Sequence, residues 1–219
     1  MEPRVLEMWG DPPDPDLLAM VVRHLEGGGI VAMPTETVYG FGAALLDEAV
    51  GELQRMKARG FEKPFLVLVP GIEAVSELEW TPEALDFARI FWPGALTLVL
   101  NDPKGIFPPG VRKVNGTVGI RQTPHPVARG IVEALGKPLV STSANPPGGA
   151  PALTAREARD TALALGAGTN LWVLDGGSLD PSEPSTIIDF SRSEPVVVRP
   201  GSIPMSRLRC VLPDLAGPA

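Results

Sequence analysis

From residue 14 onward, short apolar runs alternate with capped amphipathic segments, and this alternation restricts the fold more than any single motif does. Asp14 followed by Pro15 reads as an N-cap with proline at the first helical position. Leu17, Leu18, Val21, Val22 and Leu25 then share one face, and Gly27–Gly29 ends the helix. Ile30–Met33 is a short buried strand, stopped where Pro34 removes an N–H donor. Asp47 caps a second helix with Val50, Leu53 and Met56 inward, and Phe65–Val69 is the next strand. Thr81 and Pro82 open a helix through Ile90 that closes at FWPG, with Trp92 in the core; Ala95–Leu100 and Thr117–Arg121 are strands around a long loop. Pro126–Leu135 is a helix, Leu139–Val140 a strand, and Thr154 with Glu157 forms a capping box for a helix to Leu165. Strands follow at 171–174, 186–188 and 196–198. The expected fold is α/β: one domain with a twisted, mixed parallel and antiparallel sheet and flanking helices, because the last strands are joined by short connections. Residues 1–209 form the domain, and 210–219 read as a frayed C-terminal tail.

The composition excludes several classes. At 219 residues with 44% hydrophobic and 21% charged residues the chain is globular, and 25 Pro and 24 Gly signal many sharp loops on an ordered frame. A net charge of −7 and only seven Phe, four Trp and one Tyr argue against a nucleic-acid binder, which needs a basic stripe and stacking platforms, so direct nucleic-acid binding is expected to be weak or absent. Cys210 is the single cysteine, so no intrachain disulfide forms. The N-terminus lacks a signal-peptide layout, and no apolar run reaches the ~18–20 residues of a membrane span; the expected compartment is the cytoplasm. Neither His24 nor His125 is spaced with Cys210 as a zinc ligand, and no metal site is expected. His24, near a helix C-terminus, reads as a structural complement to the dipole.

Chemistry-bearing side chains concentrate in a few stretches. PTETVYGFGA, from Pro34 to Ala43, carries Thr35, Glu36, Thr37 and Tyr39 ahead of Gly40 and Gly42; it is either a ligand loop or an ordinary polar turn. Lys57, Arg59 and Lys63 place three cations within seven residues, ahead of a buried strand. Lys57 falls beyond the apolar stripe of its helix, with no core role. Arg121 stands at a strand exit, where α/β sheets open their ligand crevices. STSANPPGGAP offers Ser141, Ser143 and Asn145 to phosphate oxygens or a ribose, or is a turn held by its own side chains. There is no GK[ST] loop and no G-x-S-x-G elbow, GFGAAL departs from the dinucleotide fingerprint at Leu45, and His125 is hemmed between Pro124 and Pro126. Cations, hydroxyls and an amide suit an anionic, oxygen-rich ligand and a reaction driven by positioning and charge neutralisation.

PTETVYGFGA, Lys57-x-Arg59, FWPGALTLVL, TVGIR with His125-Pro126, Ser143-x-Asn145, LDGG, PSTIIDF and RPGSI stand in the order that the YrdC/TsaC family shows, and the chain resembles that family from Ile30 to Ile203. The resemblance implies a ligand cavity on the open side of the sheet and an L-threonylcarbamoyladenylate synthase. Such an enzyme is a nucleotidyltransferase making threonylcarbamoyl-AMP and pyrophosphate from L-threonine, bicarbonate and ATP, and its product goes to tRNA threonylcarbamoyl transfer proteins. It further implies Lys57 and Arg59 as catalytic cations. Lys57, Arg59, Lys63, Thr117, Ser143, Asn145 and Arg199 would serve the nucleotide, and Thr35, Arg121, Ser141 and Ser185 the threonine. Mg²⁺ would be held mainly through the ATP phosphates. Gly60 and Lys63 depart from the proline and asparagine that many relatives carry there. The alternatives are a paralogue of the same fold, or an RNA-binding module, that binds nucleotide or RNA without this catalysis.

Overall fold

The computed structural model describes residues 2–58 and 64–218. In chain order its elements are β1 (Arg4–Glu7), α1 (Pro15–Glu26), β2 (Ile30–Pro34), β3 (Tyr39–Ala44), α2 (Asp47–Met56), β4 (Leu66–Leu68), a 3₁₀ turn at Ile72–Val75, α3 (Pro82–Phe91), β5 (Leu96–Asn101) and β6 (Thr117–Arg121). α4 (Pro126–Leu135), β7 (Leu139–Ser143), α5 (Ala155–Ala164), β8 (Leu171–Asp175), β9 (Thr186–Asp189), β10 (Val196–Arg199) and α6 (Met205–Arg209) follow. All ten strands join one sheet in the order β1-β8-β2-β3-β7-β4-β6-β5-β9-β10. It is mixed: β8 pairs in parallel with β1 and β2, β4 with β6 and β5 with β9, and the other neighbours are antiparallel.

Alternation of side chains across the strands gives the sheet two different faces. Ile30, Ala32, Phe41, Val67, Leu98, Ile120 and Val140 point to one face, where Leu53 of α2, Phe87 of α3 and Ala158 of α5 cover them. Val31, Met33, Ala44, Leu68 and Leu139 point to the other, against Val21 and Leu25 of α1 and Ile131 of α4. Those two helices pack closely at Gly130, where an added Cβ would lie 3.3 Å from Leu18 Cδ2. They cover only part of that face; the remainder forms the site described below.

Local chemistry explains most element boundaries. Asp14 Oδ1 accepts from the Asp16 and Leu17 amides to start α1. Thr154 Oγ1 accepts from Glu157 N at 3.1 Å, while the Glu157 carboxylate reaches back to Leu153 N at 2.7 Å. Four expectations need correction, and one strand was not foreseen. Asp47 is the first residue of α2 rather than its cap; Leu46 occupies the cap with no side-chain bond, and the Asp47 charge faces the positive end of the dipole. GFGA is not a turn but the body of β3, in a hairpin that pairs Pro34 with Tyr39. Its glycines fit because an added Cβ at Gly42 would lie 2.8 Å from Met33 Cε. β1 was not expected, because three of its four residues are exposed and only Leu6 is buried. The tail is not frayed: α6 precedes it, Leu215 is 1% exposed, and Val197 N donates to Ala216 O, so the chain end covers the outer edge of β10. His24 is structural but not a dipole complement. Its ring stacks on Trp172 at 3.9 Å, Nε2 lies 3.2 Å from Ile30 O, and burial pushes its pKa down.

Candidate active site

Where α1 and α4 leave the sheet uncovered, a cavity of about 650 Å³ opens over β3 to β10. The side chains that alternation sends into it include small and hydroxylated ones, Gly40 on β3, Ser141 and Ser143 on β7, Gly119 on β6 and Thr97 on β5, among the apolar Leu66, Val99 and Ile187. Gly40 is fixed by closeness, since an added Cβ would lie 3.0 Å from Thr142 O and 3.1 Å from Ser141 Oγ. Ser143 lies opposite Gly40 and Ser141 opposite Gly42, so β7 extends through the stretch expected to be loop. The Ser141 hydroxyl is 3% exposed and makes no hydrogen bond among the described residues.

Two guanidiniums mark one end. Arg121, at the exit of β6, is 5% exposed, and its Nη1 lies 3.2 Å from Glu36 Oε1. Thr123 Oγ1 donates to Glu36 Oε2 at 2.7 Å, and Arg121 Nε has no hydrogen-bond partner. Arg199, from β10, donates through Nη2 to Ser185 O at 2.7 Å and to Ser185 Oγ at 2.9 Å; Ser185 Oγ is 3.0 Å from Thr97 Oγ1. Burial pushes the Arg121 pKa down, with Glu36 opposing; burial and then the charge of Arg121 push Arg199 down. The backbone behind this wall is tight: a Cβ on Gly201 would sit 2.1 Å from Pro184 O. Ser182 of the preceding loop donates to Thr37 O at 3.2 Å.

Thr35 lines the cavity, and its hydroxyl also serves the β2–β3 turn, donating to Val38 O at 2.8 Å and accepting from Thr37 N and Val38 N at 3.3 Å. Ligand-loop and turn readings therefore describe the same atoms. Tyr39, behind it, donates to Gly177 O at 2.7 Å, and burial raises its pKa to about 12.

The cationic stretch behaves differently from expectation. Lys57 is 7% exposed, and its Nζ donates to Ser143 O at 3.0 Å, Asn145 O at 2.5 Å and Asn145 Oδ1 at 2.8 Å. Ser143 Oγ donates to Asn145 Oδ1 at 2.6 Å, and Asn145 Nδ2 to Gly149 O at 2.9 Å. Lys57 thus brackets the loop after β7, a structural task that its place beyond the apolar stripe did not suggest. Neither it nor Asn145 is on the cavity wall, whereas Ser143 is. Arg59, Gly60 and Lys63 lie outside the described residues; Pro64 and Phe65, immediately after, line the cavity. Thr117 is buried, donates to Asn115 Oδ1 at 2.9 Å and does not reach the wall, although Gly119 and Arg121 on the same side of β6 do.

Lining residues that the sequence reading missed include Thr97, Ser182 and Lys113. Thr97 was detectable as the one hydroxyl in an apolar strand. Lys113 sits on the long loop that Asp102, fully buried, shapes by accepting from Ile106 N and Phe107 N at 3.0 and 3.1 Å. Neither histidine lines the cavity. His125 Nδ1 accepts from Val127 N to cap α4, and burial lowers its pKa. Among the described residues no lining residue is a carboxylate, and no group of three His, Cys, Asp or Glu could hold a metal ion. No helix among them is long and apolar enough to cross a membrane. The wall can bind an oxygen-rich anion and offset charge as it develops; it holds no nucleophile paired with a base.

Comparison with known proteins gives the same direction. The Sua5/YciO/YrdC family model, described as "Telomere recombination", matches residues 23–201. The threonylcarbamoyl-AMP synthase of Pyrococcus abyssi is 34% identical over 204 residues, which cover 90% of this chain and 58% of that protein. A putative threonylcarbamoyl-AMP synthase of Mycobacterium tuberculosis is 35% identical over 89% of this chain and 88% of its own length. The crystal structure of P. abyssi Sua5 complexed with L-threonine superposes with a TM-score of 0.88 at 28% identity, covering 97% of this chain and 62% of that one. The chain thus spans about three fifths of the archaeal relative and most of the mycobacterial one.

Proposed function

The chain belongs to the Sua5/YciO/YrdC family, and from that membership and the cavity we propose that it is an L-threonylcarbamoyladenylate synthase. The observation that carries this reading is the convergence of Arg121, Arg199, Ser185 and Thr97 on one end of a cavity that Ser141 and Ser143 continue. A guanidinium with an unused N–H beside several hydroxyls suits a small hydroxylated amino acid. Arg121 takes the threonine carboxylate, and Thr35, Ser141 and Ser185 read its amine and hydroxyl.

The reaction condenses the threonine amine with bicarbonate to a carbamate, releasing water. A carbamate oxygen then attacks the α-phosphorus of ATP, the bond to the β-phosphate oxygen breaks, and pyrophosphate leaves. Lys57, Arg59, Lys63, Ser143, Asn145, Thr117 and Arg199 are proposed for the nucleotide side, with two changes of emphasis. Arg199 stands beside Ser185 in the amino-acid cluster, where it can meet the carbamate. For Lys57 to neutralise phosphate charge, its ammonium exchanges the Ser143 and Asn145 oxygens for phosphate oxygens. Among the described residues the cavity wall supplies no carboxylate for Mg²⁺, so those residues do not fit a protein-held ion; the metal would enter with the ATP phosphates. We further propose residues 1–209 as the catalytic unit, a cytoplasmic location, transfer of the product to tRNA by downstream proteins, and little direct tRNA affinity.

Pyrophosphate release with ATP and bicarbonate saturating tests the reading. It should depend on threonine and discriminate against valine by more than about tenfold, because valine leaves buried hydroxyls unpaired. Serine should be rejected less strongly. Release independent of threonine would instead identify a nucleotide-binding paralogue, and equal use of valine would return Thr35 to a turn residue alone.

A further inference from the structure

Glu36 stands behind the cavity wall rather than on it, and its contacts give it a definite task. One carboxylate oxygen pairs with Arg121 Nη1 at 3.2 Å and the other is held by Thr123 Oγ1 at 2.7 Å; the paired side chains are 14% and 6% exposed. Arg121 and Arg199 are the two cations of this end, close enough for the charge of one to depress the pKa of the other. Among the described residues, Glu36 is the carboxylate in ion-pair contact with either of them.

A buried guanidinium and an exposed one beside it, without a counterion, would carry +2 and would make a phosphate site, since arginine forks match phosphate oxygens and a dianion cancels both charges. With Glu36 in place the cluster carries +1. A monocarboxylate then leaves this end neutral, whereas a phosphate dianion leaves −1 against the buried Arg121–Glu36 pair, where uncompensated charge is costly. Glu36 Oε1 stands in ion-pair range of Nη1 without a hydrogen bond to it, and Arg121 Nε likewise has no hydrogen-bond partner, so it is a donor open to the ligand.

We propose that Glu36 sets the anion selectivity of the cavity, holding the Arg121–Arg199 end at a single positive charge so that it accepts a monoanionic carboxylate and refuses phosphate. In a cavity that must also admit a polyphosphate, this keeps the two ligands in register: the phosphates cannot slide into the amino-acid end. The proposal rests on the reading of that end as the amino-acid subsite. Glu36 acts through Arg121 and is a positioning residue.

The test is calorimetric titration of the full chain with L-threonine and, separately, with inorganic phosphate, in wild type, Glu36→Gln and Glu36→Asp. Glu36→Gln is expected to gain at least about tenfold in phosphate affinity and to let phosphate compete with threonine; Glu36→Asp should keep the wild-type preference. A purely structural role would weaken both ligands together and could not reverse their order. A folded Glu36→Gln with an unchanged preference, or Glu36→Asp shifting as far as Glu36→Gln, overturns the proposal. The double variant Glu36→Gln/Arg199→Gln restores the +1 charge and answers the case in which the single variant does not fold. It should prefer the carboxylate, and a preference for phosphate overturns the charge argument. Wild type that binds no threonine would overturn the amino-acid reading, while the phosphate titration still decides the charge argument by itself.

Discussion

One face of the sheet carries two kinds of surface within single strands. On β7, Leu139 lies under the helices while Ser141 and Ser143, two and four residues on, line the cavity; on β3, Ala44 is covered and Gly40 is not. The backbone ladder is continuous across the border, pairing Ala44 with Leu139 at one end and Gly40 with Ser143 at the other. The cavity is therefore not a defect in packing. It is the length of sheet over which α1 and α4 do not reach, and there serine, threonine and glycine stand among the apolar Leu66, Val99 and Ile187. Stability should accordingly reside in one half and ligand specificity in the other.

Substitutions along β7 and behind the wall break or sharpen that division. Leu139→Ser carries the open-half chemistry into the covered half and should cost about 4 kcal/mol, a large-to-small change plus a buried hydroxyl, read as a lowered denaturation midpoint. A loss below about 1 kcal/mol would mean that the covered half is not the stable one. Gly201→Ala, where the new Cβ would lie 2.1 Å from Pro184 O, should cost about 2 kcal/mol and raise KM for threonine by displacing Ser185 and Arg199. Ser141→Ala should change stability by less than about 0.5 kcal/mol, since its hydroxyl makes no internal bond, while raising KM for threonine severalfold with ATP affinity unchanged. Equal effects on both substrates would show that the open half is not divided between them.

The smallest effect concerns pH. Burial lowers the folded-state pKa of His24, on α1 against Trp172 of the sheet, and of His125, at the cap of α4, below the ordinary 6.5. The unfolded chain then binds more protons near neutrality. The stability contributed by the neutral rings is present above about pH 6.5 and lost as pH falls through the lower folded values. Protonated His24 would also meet Arg4, which lies over the same Trp172 ring at 4.9 Å. Melting temperature should fall on acidification from pH 7.5 to 5.5, and less so in His24→Asn. An equal fall in that variant would leave the covered half without a titrating group.

Where spacing and cap chemistry agree, the elements were legible. Asp14-Pro15 and Thr81-Pro82 start helices, and the strands at Leu96, Thr117 and Leu171 begin within a residue or two of the expected positions. β1 was hidden because an edge strand with one buried residue of four has no apolar period to read. β3 was hidden because glycines chosen for close approach to Met33 and Thr142 look like turn residues in isolation. In the site, the hydroxyls and arginines could be found as a set. The pairing of Glu36 with Arg121 and the inward course of Lys57 could not, since both depend on which distant segments the sheet order makes neighbours.

That order also sets a schedule for the growing chain. β8 lies between β1 and β2, parallel to both, so these two strands leave the ribosome well before residues 171–175, which fill the slot between them. Until then Ile30 and Val31 present an unpaired edge, and Arg4–Glu7 has no neighbour to dock on. Most of the polypeptide must be synthesised before its beginning is locked, which places the last step of assembly after translation of the strand region and makes the partly made chain the species most exposed to edge-to-edge aggregation.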